Sequence, residues 1–300
     1  MGELNGNEEE LIGIRARLRE KLSDPDIELE ALLTGGNSRI YLGKSGERRY
    51  FVKYPDACGR MYGVLRAASG CACLPQSFLD APLPFADGFI SCLSWRPADF
   101  VPVENWSDAQ LESFLAAYGE FFAVLQRTDD VGAHEDDESY YRTIADYAGR
   151  HPLAVRYLKP LLSLAVEERT YRLGERLMVT HGDLHGRNYG FCGEAFACFY
   201  DIDNVLWGYA TEDLAYTVLD RAQRRSVTGA KFARCVEVLR RMMAHLDRPM
   251  REWRVAINRK RLRQAASKVA RRPDSLVPAL DIWLHDRKAV RLLRETMGAD

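Results

Sequence analysis

Leu177-Met178-Val179-Thr180-His181-Gly182-Asp183-Leu184-His185-Gly186-Arg187-Asn188, followed by Phe199-Tyr200-Asp201-Ile202-Asp203-Asn204, is the stretch that decides the fold of this 300-residue chain. The apolar run before His181 predicts a short strand that delivers Asp183 on a loop. Tyr189–Phe191 and Phe196–Tyr200 predict a small hairpin whose far end brings in Asp201. Asp183, the amide oxygen of Asn188 five residues on, and Asp201 are hard oxygen donors of the kind that suits Mg²⁺, which takes one or two carboxylates together with phosphate oxygens. Such a set can orient a hydroxyl and hold a metal on a triphosphate.

Working outward, residues 8–22 place Leu11, Ile14, Leu18 and Leu22 at helical spacing, and Asp24-Pro25 ends that helix. Ile27–Leu33, Arg39–Gly43 and Arg48–Tyr54 read as an antiparallel meander joined by turn-rich connections. A short helix is expected at 59–69, and 83–95 reads as two strands broken at Asp87-Gly88. After Pro97 the chain turns helical. Ser107-Asp108-Ala109-Gln110 is a capping box opening a helix with Leu111, Phe114, Leu115, Tyr118, Phe121, Phe122 and Leu125 on one face. An acidic loop at 128–139 and helices at about 139–149 and 154–170 follow. From Thr211 the chain is again helical and rich in arginine.

Apolar residues make up 47% and charged residues 28%, which excludes a disordered or collagen-like chain. The seven cysteines are odd in number and scattered, so reduced thiols in a cytoplasmic protein are expected; Cys71-Ala72-Cys73 has too short a gap for most zinc knuckles. The acidic N-terminus has no apolar core, so no signal peptide is expected, and no run is long enough to span a membrane. The net charge of −1 conceals an asymmetry: residues 221–300 hold 21 Lys and Arg against 8 Asp and Glu. A nucleic-acid partner is not expected from a chain that is not uniformly basic.

The spaced elements resemble a known family. Asp-x-x-x-x-Asn followed by a strand-borne Asp is the protein-kinase catalytic-loop pattern. The form His181-Gly-Asp183-Leu-His185-x-x-Asn188, then Asp201-x-Asp203, Gly208 and Asp213-Leu-Ala, is similar to the aminoglycoside phosphotransferase/choline kinase superfamily. The match is densest at 177–215. The resemblance implies an α+β, bilobal, protein-kinase-like fold, with a small antiparallel β-sheet lobe (1–97) clamping ATP and a larger, mainly helical lobe (98–300) carrying chemistry and substrate. It implies Asp183 as the base for the acceptor hydroxyl, Asn188 and Asp201 as Mg²⁺ ligands, and Asp203 as a further ligand or supporting group. Asp213 would brace the loop. His181 is expected to hydrogen-bond backbone, and His185 either to shape the loop or to touch substrate. Gly35, Gly36, Asn37 and Ser38 sit where a phosphate-covering loop belongs, and Lys53 where the phosphate-pairing lysine does.

One departure stands out. The family supplies a helix glutamate to hold that lysine, yet the segment 59–69 contains no acid, with Met61 or Tyr62 at the expected place. A catalytically weak, pseudokinase-like nucleotide-binding module is therefore the alternative to a kinase acting on a small-molecule or glycan hydroxyl. Gly182-Asp183-Leu184-His185-Gly186 also matches the opening motif of the calcineurin-like metallophosphoesterases. The later metal-ligand motifs of that two-metal chemistry are absent, and that reading is rejected. The basic stretch Arg259-Lys260-Arg261, Arg263 and Arg271-Arg272 is expected to be exposed; any part facing the cleft would favour a neutral or anionic acceptor.

Overall fold

The computed structural model describes residues 2–34, 38–56, 59–67, 70–127, 137–162, 178–202 and 205–298. Its first element is helix α1 (Gly2–Leu22), which starts six residues before the expected helix. Ile14 and Leu18 from α1 are fully buried against the sheet that follows, the consequence of their four-residue spacing.

That sheet consists of β1 (Glu28–Thr34), β2 (Arg39–Ser45), β3 (Arg48–Asp56), β4 (Leu83–Phe85) and β5 (Gly88–Ser94), in the order β1-β2-β3-β5-β4 with every pair antiparallel. The expected meander and the break at Asp87-Gly88 are both present. In β3, Tyr50, Val52 and Tyr54 are buried, whereas Phe51 and Lys53 face the other side and are half-buried. Strict two-residue alternation thus sets Lys53 on the face opposite the sheet core. Helix α2 (Gly59–Ala67) packs Tyr62 and Val64 into that core and contains no acidic residue.

Ser94 ends the sheet, and the chain passes by Pro97 into an antiparallel pairing of Asp99 with Phe191, with N–H···O distances of 2.8 and 3.0 Å. Helix α3 (Asp108–Leu125) opens with the expected capping box. Ser107 Oγ accepts from the Gln110 amide at 3.1 Å, and Gln110 Oε1 accepts from the Ser107 amide at 3.0 Å. Its buried face is the expected one except that Val124 replaces Phe122, which lies half-buried at the margin.

Helix α4 (Asp137–Arg150) begins earlier than expected, and residues 155–162 form helix α5 after a 3-10 turn at Pro152–Ala154. The remainder of the acidic loop and of the expected 154–170 helix lies outside the described residues. The central motif spans β6 (Met178–Thr180), β7 (Tyr189–Cys192) and β8 (Ala195–Phe199), all expected, and β9 (Leu206–Gly208), which was not. β6 pairs with β9 and β7 with β8, both antiparallel. Three residues carry too little periodicity to mark β9 in the sequence; its pairing with β6 makes it a strand. Helices α6 (Glu212–Ala222), α7 (Gly229–Leu246), α8 (Met250–Arg271) and α9 (Val277–Met297) complete the chain. The six cysteines described are all free. Among the described residues, no helix is long and apolar enough to cross a membrane.

The aromatic face of α3 joins the sheet-like hairpins to the helices. Phe114 and Phe121 lie 5.8 and 4.7 Å from Phe199 of β8, and Trp106 lies 5.3 Å from Tyr189 of β7, measured between ring centroids. Removing the cap that starts α3 should therefore be felt by the motif. Ser107→Ala is expected to lower unfolding free energy by about 1 kcal/mol, read as a lower urea midpoint at unchanged slope.

Candidate active site

Gly182 has φ +82°, a left-handed conformation that glycine enters without strain, and it turns the chain from β6 into the loop. The loop is then held by its neighbours. Asp213, fully buried at the start of α6, accepts the amide N–H of His181 at 2.7 Å and that of Gly182 at 3.0 Å, one on each carboxylate oxygen. The Tyr118 hydroxyl lies 3.3 Å from the same carboxylate. Thr217, one turn along α6, donates to the Leu184 carbonyl at 2.9 Å. The carbonyl of Gly182 accepts from the other side: from Lys260 Nζ and, at 2.9 Å, from Arg263, both on α8.

His181 is buried, as expected for a backbone-bonding role. Its Nε2 pairs with the Tyr200 carbonyl at 2.9 Å, and its Nδ1 lies 3.3 Å from the Asp183 amide, which donates to it. One tautomer, with the proton on Nε2, satisfies both contacts. His181 thereby ties the loop to the residue preceding Asp201. Asn188 donates its side-chain amide to the Asp183 carbonyl at 2.8 Å, and its own carbonyl accepts from the Tyr200 amide at 2.8 Å. Asn188 and Asp201 are thus neighbours across the hairpin, although twelve residues separate them in sequence.

Asp201 has φ +52°, a conformation that Asp tolerates better than most residues. Its Oδ1 accepts from Lys53 Nζ at 2.9 Å, linking the sheet face to the end of β8. Lys53 therefore has a carboxylate, though not one from α2. Asp87, one of the acids near Lys53 in sequence, lies instead 3.3 Å from the Tyr54 hydroxyl. Asp183 is half-buried, with Oδ2 3.7 Å from His185 Nε2, while His185 Nδ1 accepts from the Arg187 amide at 3.3 Å. His185 consequently serves the loop and lines the cleft beside it. Ser38 donates its hydroxyl to the Pro55 carbonyl at 2.8 Å. Gly35, Gly36, Asn37 and Asp203 lie outside the described residues.

With its NH₂ used on Asp183, Asn188 retains its amide oxygen for a cation, and Asp201 supplies an exposed carboxylate. This all-oxygen donor set fits Mg²⁺. Two hollows flank the set. One is a narrow slot between Phe51, Leu93 and Ser94 of the sheet and Tyr200–Ile202. The other is a cleft of about 490 Å³ that opens from Asp183 and His185 onto α6, α8 and α9.

Lys260 is the residue whose role here the sequence did not disclose. The patch expected to be exposed is buried at Arg259, Lys260 and Arg261, each 5% exposed or less. Arg259 pairs with Glu212 at 2.6 Å, Arg261 with Asp286 at 2.6 Å, and Lys260 binds the Gly182 carbonyl. Burial, with Arg263 adding repulsion, pushes the Lys260 ammonium below its ordinary range. Only packing of α8 against the loop brings these groups together. Gly208 has a comparable explanation: a Cβ there would lie 1.7 Å from Glu212 Oε2, in the place of the carboxylate that pairs with Arg259 and accepts the Tyr209 amide.

Architecture and loop together define a protein-kinase-like phosphotransferase. A family model described as the phosphotransferase enzyme family matches residues 30–245, and the chain belongs to that family. No curated protein sequence matches it. Among solved structures, it resembles a thermostable mutant of aminoglycoside phosphotransferase APH(4)-Ia in ternary complex with ADP and hygromycin B (TM-score 0.63, 16% identity, 96% of this chain and 100% of that one). It also resembles a candidate aminoglycoside phosphotransferase of Ralstonia eutropha JMP134 (TM-score 0.64, 14% identity, 96% and 98% covered). A third is the gentamicin complex of APH(2'')-IIa (TM-score 0.59, 13% identity, 96% of each chain). At these identities the likeness shows the fold.

Asp213→Ala would strand two buried N–H donors at about 1–3 kcal/mol each. Urea unfolding is expected to show a loss of about 2–6 kcal/mol, with Asp213→Asn, which retains one oxygen, falling between the two proteins.

Proposed function

We propose that the protein is an ATP- and Mg²⁺-dependent kinase that moves a phosphoryl group to a hydroxyl of a small molecule or glycan. The observation that carries this reading is the Lys53–Asp201 ion pair, which joins the sheet to the catalytic motif and lines the slot between them. Residues 1–97 clamp the nucleotide, with Ser94–Pro97 as hinge, and 98–300 hold the chemistry. A cytoplasmic setting goes with the use of ATP.

Asn188 and Asp201 would hold Mg²⁺, which when bound neutralises phosphate charge. Lys53 turns from Asp201 toward the phosphates. Asp183 accepts the hydroxyl proton of the acceptor and fixes its oxygen in line, the positioning on which this chemistry depends. Asp213, Lys260 and Arg263 hold the peptide groups around Gly182, and so the position of Asp183. His181 ties the loop to Tyr200 in the same way.

One observation favours a second reading, a weak pseudokinase-like nucleotide-binding module. Helix α2 contributes no carboxylate, and the one on Lys53 is the proposed metal ligand itself.

Phosphotransfer from radiolabelled ATP to a panel of hydroxylated metabolites tests the choice between them. Asp183→Asn is expected to leave Mg-ATP affinity close to wild type and to lower turnover by about 10²–10⁴-fold, because the amide orients the hydroxyl without taking its proton. Wild-type turnover in that variant would remove Asp183 from the role. Asp201→Ala is expected to abolish Mg²⁺-dependent ATP binding in calorimetry. Lys53→Ala should cost less than Asp201→Ala, since no helix acid pre-orders the lysine.

A further inference from the structure

The cleft beside Asp183 is strongly cationic. Among the described residues lining it are five Lys and Arg, four on α8 and Arg224 in the turn after α6, against the two carboxylates of Asp183 and Asp220. Their commitments differ. Arg224 pairs with Asp220 at 2.9 Å, and Lys268 with Asp281 of α9 at 2.7 Å, with His285 also in contact at 3.1 Å. Lys260 binds a carbonyl, which satisfies its hydrogen bond and leaves its charge uncompensated by that partner. Arg271, exposed in the last turn of α8, makes no hydrogen bond or ion pair among the described residues. Burial, and after it the neighbouring Arg263, lowers the proton affinity of Lys260 at this wall.

From this arrangement we infer that the acceptor is itself phosphorylated: Arg271, on a cleft that Lys268 and Arg224 also line, seats a phosphate already on the substrate while a hydroxyl of the same molecule reaches Asp183. A volume of about 490 Å³ suits a molecule of this size. The potential repels a polycation and attracts an anion, which is selection by charge as much as by contact. The inference rests on the kinase reading above. In the reaction, the acceptor oxygen gives its proton to the Asp183 carboxylate and bonds to the γ-phosphorus. The bond from that phosphorus to the β,γ-bridging oxygen breaks, and its electron pair leaves with ADP.

The test begins with ADP and Mg²⁺ at saturation, which fills the nucleotide site, followed by calorimetric titration of inorganic phosphate into wild type and Arg271→Glu. Steady-state kinetics then compare glucose 6-phosphate, glycerol 3-phosphate and a phosphorylated glycolipid in micelles with kanamycin and choline. Phosphate is expected to bind wild type and to be lost from Arg271→Glu. At least one phosphorylated acceptor is expected to turn over, with its KM raised about tenfold by Arg271→Glu and restored by Arg271→Lys. KM for ATP should not change. Added salt should raise the same acceptor KM. Turnover of the micellar acceptor alone would assign the phosphate to a lipid headgroup, and turnover of the soluble ones to a free metabolite; either supports the inference. Salt-insensitive phosphorylation of kanamycin or choline overturns it, as does an unchanged phosphorylated-acceptor KM in Arg271→Glu. So does ADP binding with neither phosphate binding nor turnover of any phosphorylated acceptor. Failure to bind Mg-nucleotide at all overturns the kinase reading instead, so the two failures are distinguishable.

Discussion

Three peptide groups around Gly182 are gripped from opposite sides by charged side chains, and the rest of the site depends on that grip. The N–H groups point to the carboxylate of Asp213, and the carbonyl to the ammonium of Lys260 and the guanidinium of Arg263. A charged partner makes each bond stronger than a neutral one would, and burial makes leaving any of them unmade expensive. A loop held in this way has little freedom to wander. Asp183, the next residue, inherits that order without having to be buried itself, and it remains half-open to the cleft where a substrate would arrive.

The same device explains how a basic C-terminal third folds against an acidic remainder. Arg221 reaches Glu104, Arg234 and Arg241 reach Asp108, and Arg259 reaches Glu212. Long-range pairs such as these neutralise much of the asymmetry where elements pack. Five Lys and Arg line the cleft beside Asp183, and of these Arg271 is not consumed by that packing. Charge that looks like a surface property in the composition is thus divided by the fold into a structural share, paired and in part buried, and a share facing the cleft.

Lys53 shows how a family pattern can be altered without dissolving. The alternation of β3 puts its ammonium on the face away from the sheet core, and Asp201, in a left-handed conformation at the end of β8, meets it. The ion pair is half-exposed, so solvent screens it and its contribution to stability is small. Its importance is geometric. It brings a cation that suits phosphate next to the carboxylate that suits a metal, and does so with no acid on α2.

The sequence by itself determined the meander, the capped α3 and its buried face, the strand–loop–hairpin motif, and the grouping of Asp183, Asn188 and Asp201. All of these are written in local periodicity, turn residues and short spacings, which a linear chain displays directly. Asp213 was legible too, because it belongs to the spaced family pattern. Tertiary structure alone decided that β9 is a strand, since pairing with β6 rather than any periodicity of Leu206–Gly208 makes it one. It alone decided that Arg259, Lys260 and Arg261 are buried, and that Lys260 and Arg263 serve a carbonyl some eighty residues earlier in the chain. Three basic residues in a row on a helix carry no mark of what lies opposite them. Their partners are fixed by how α8 packs against α6 and the loop, and that is a property of the folded chain rather than of any segment of it.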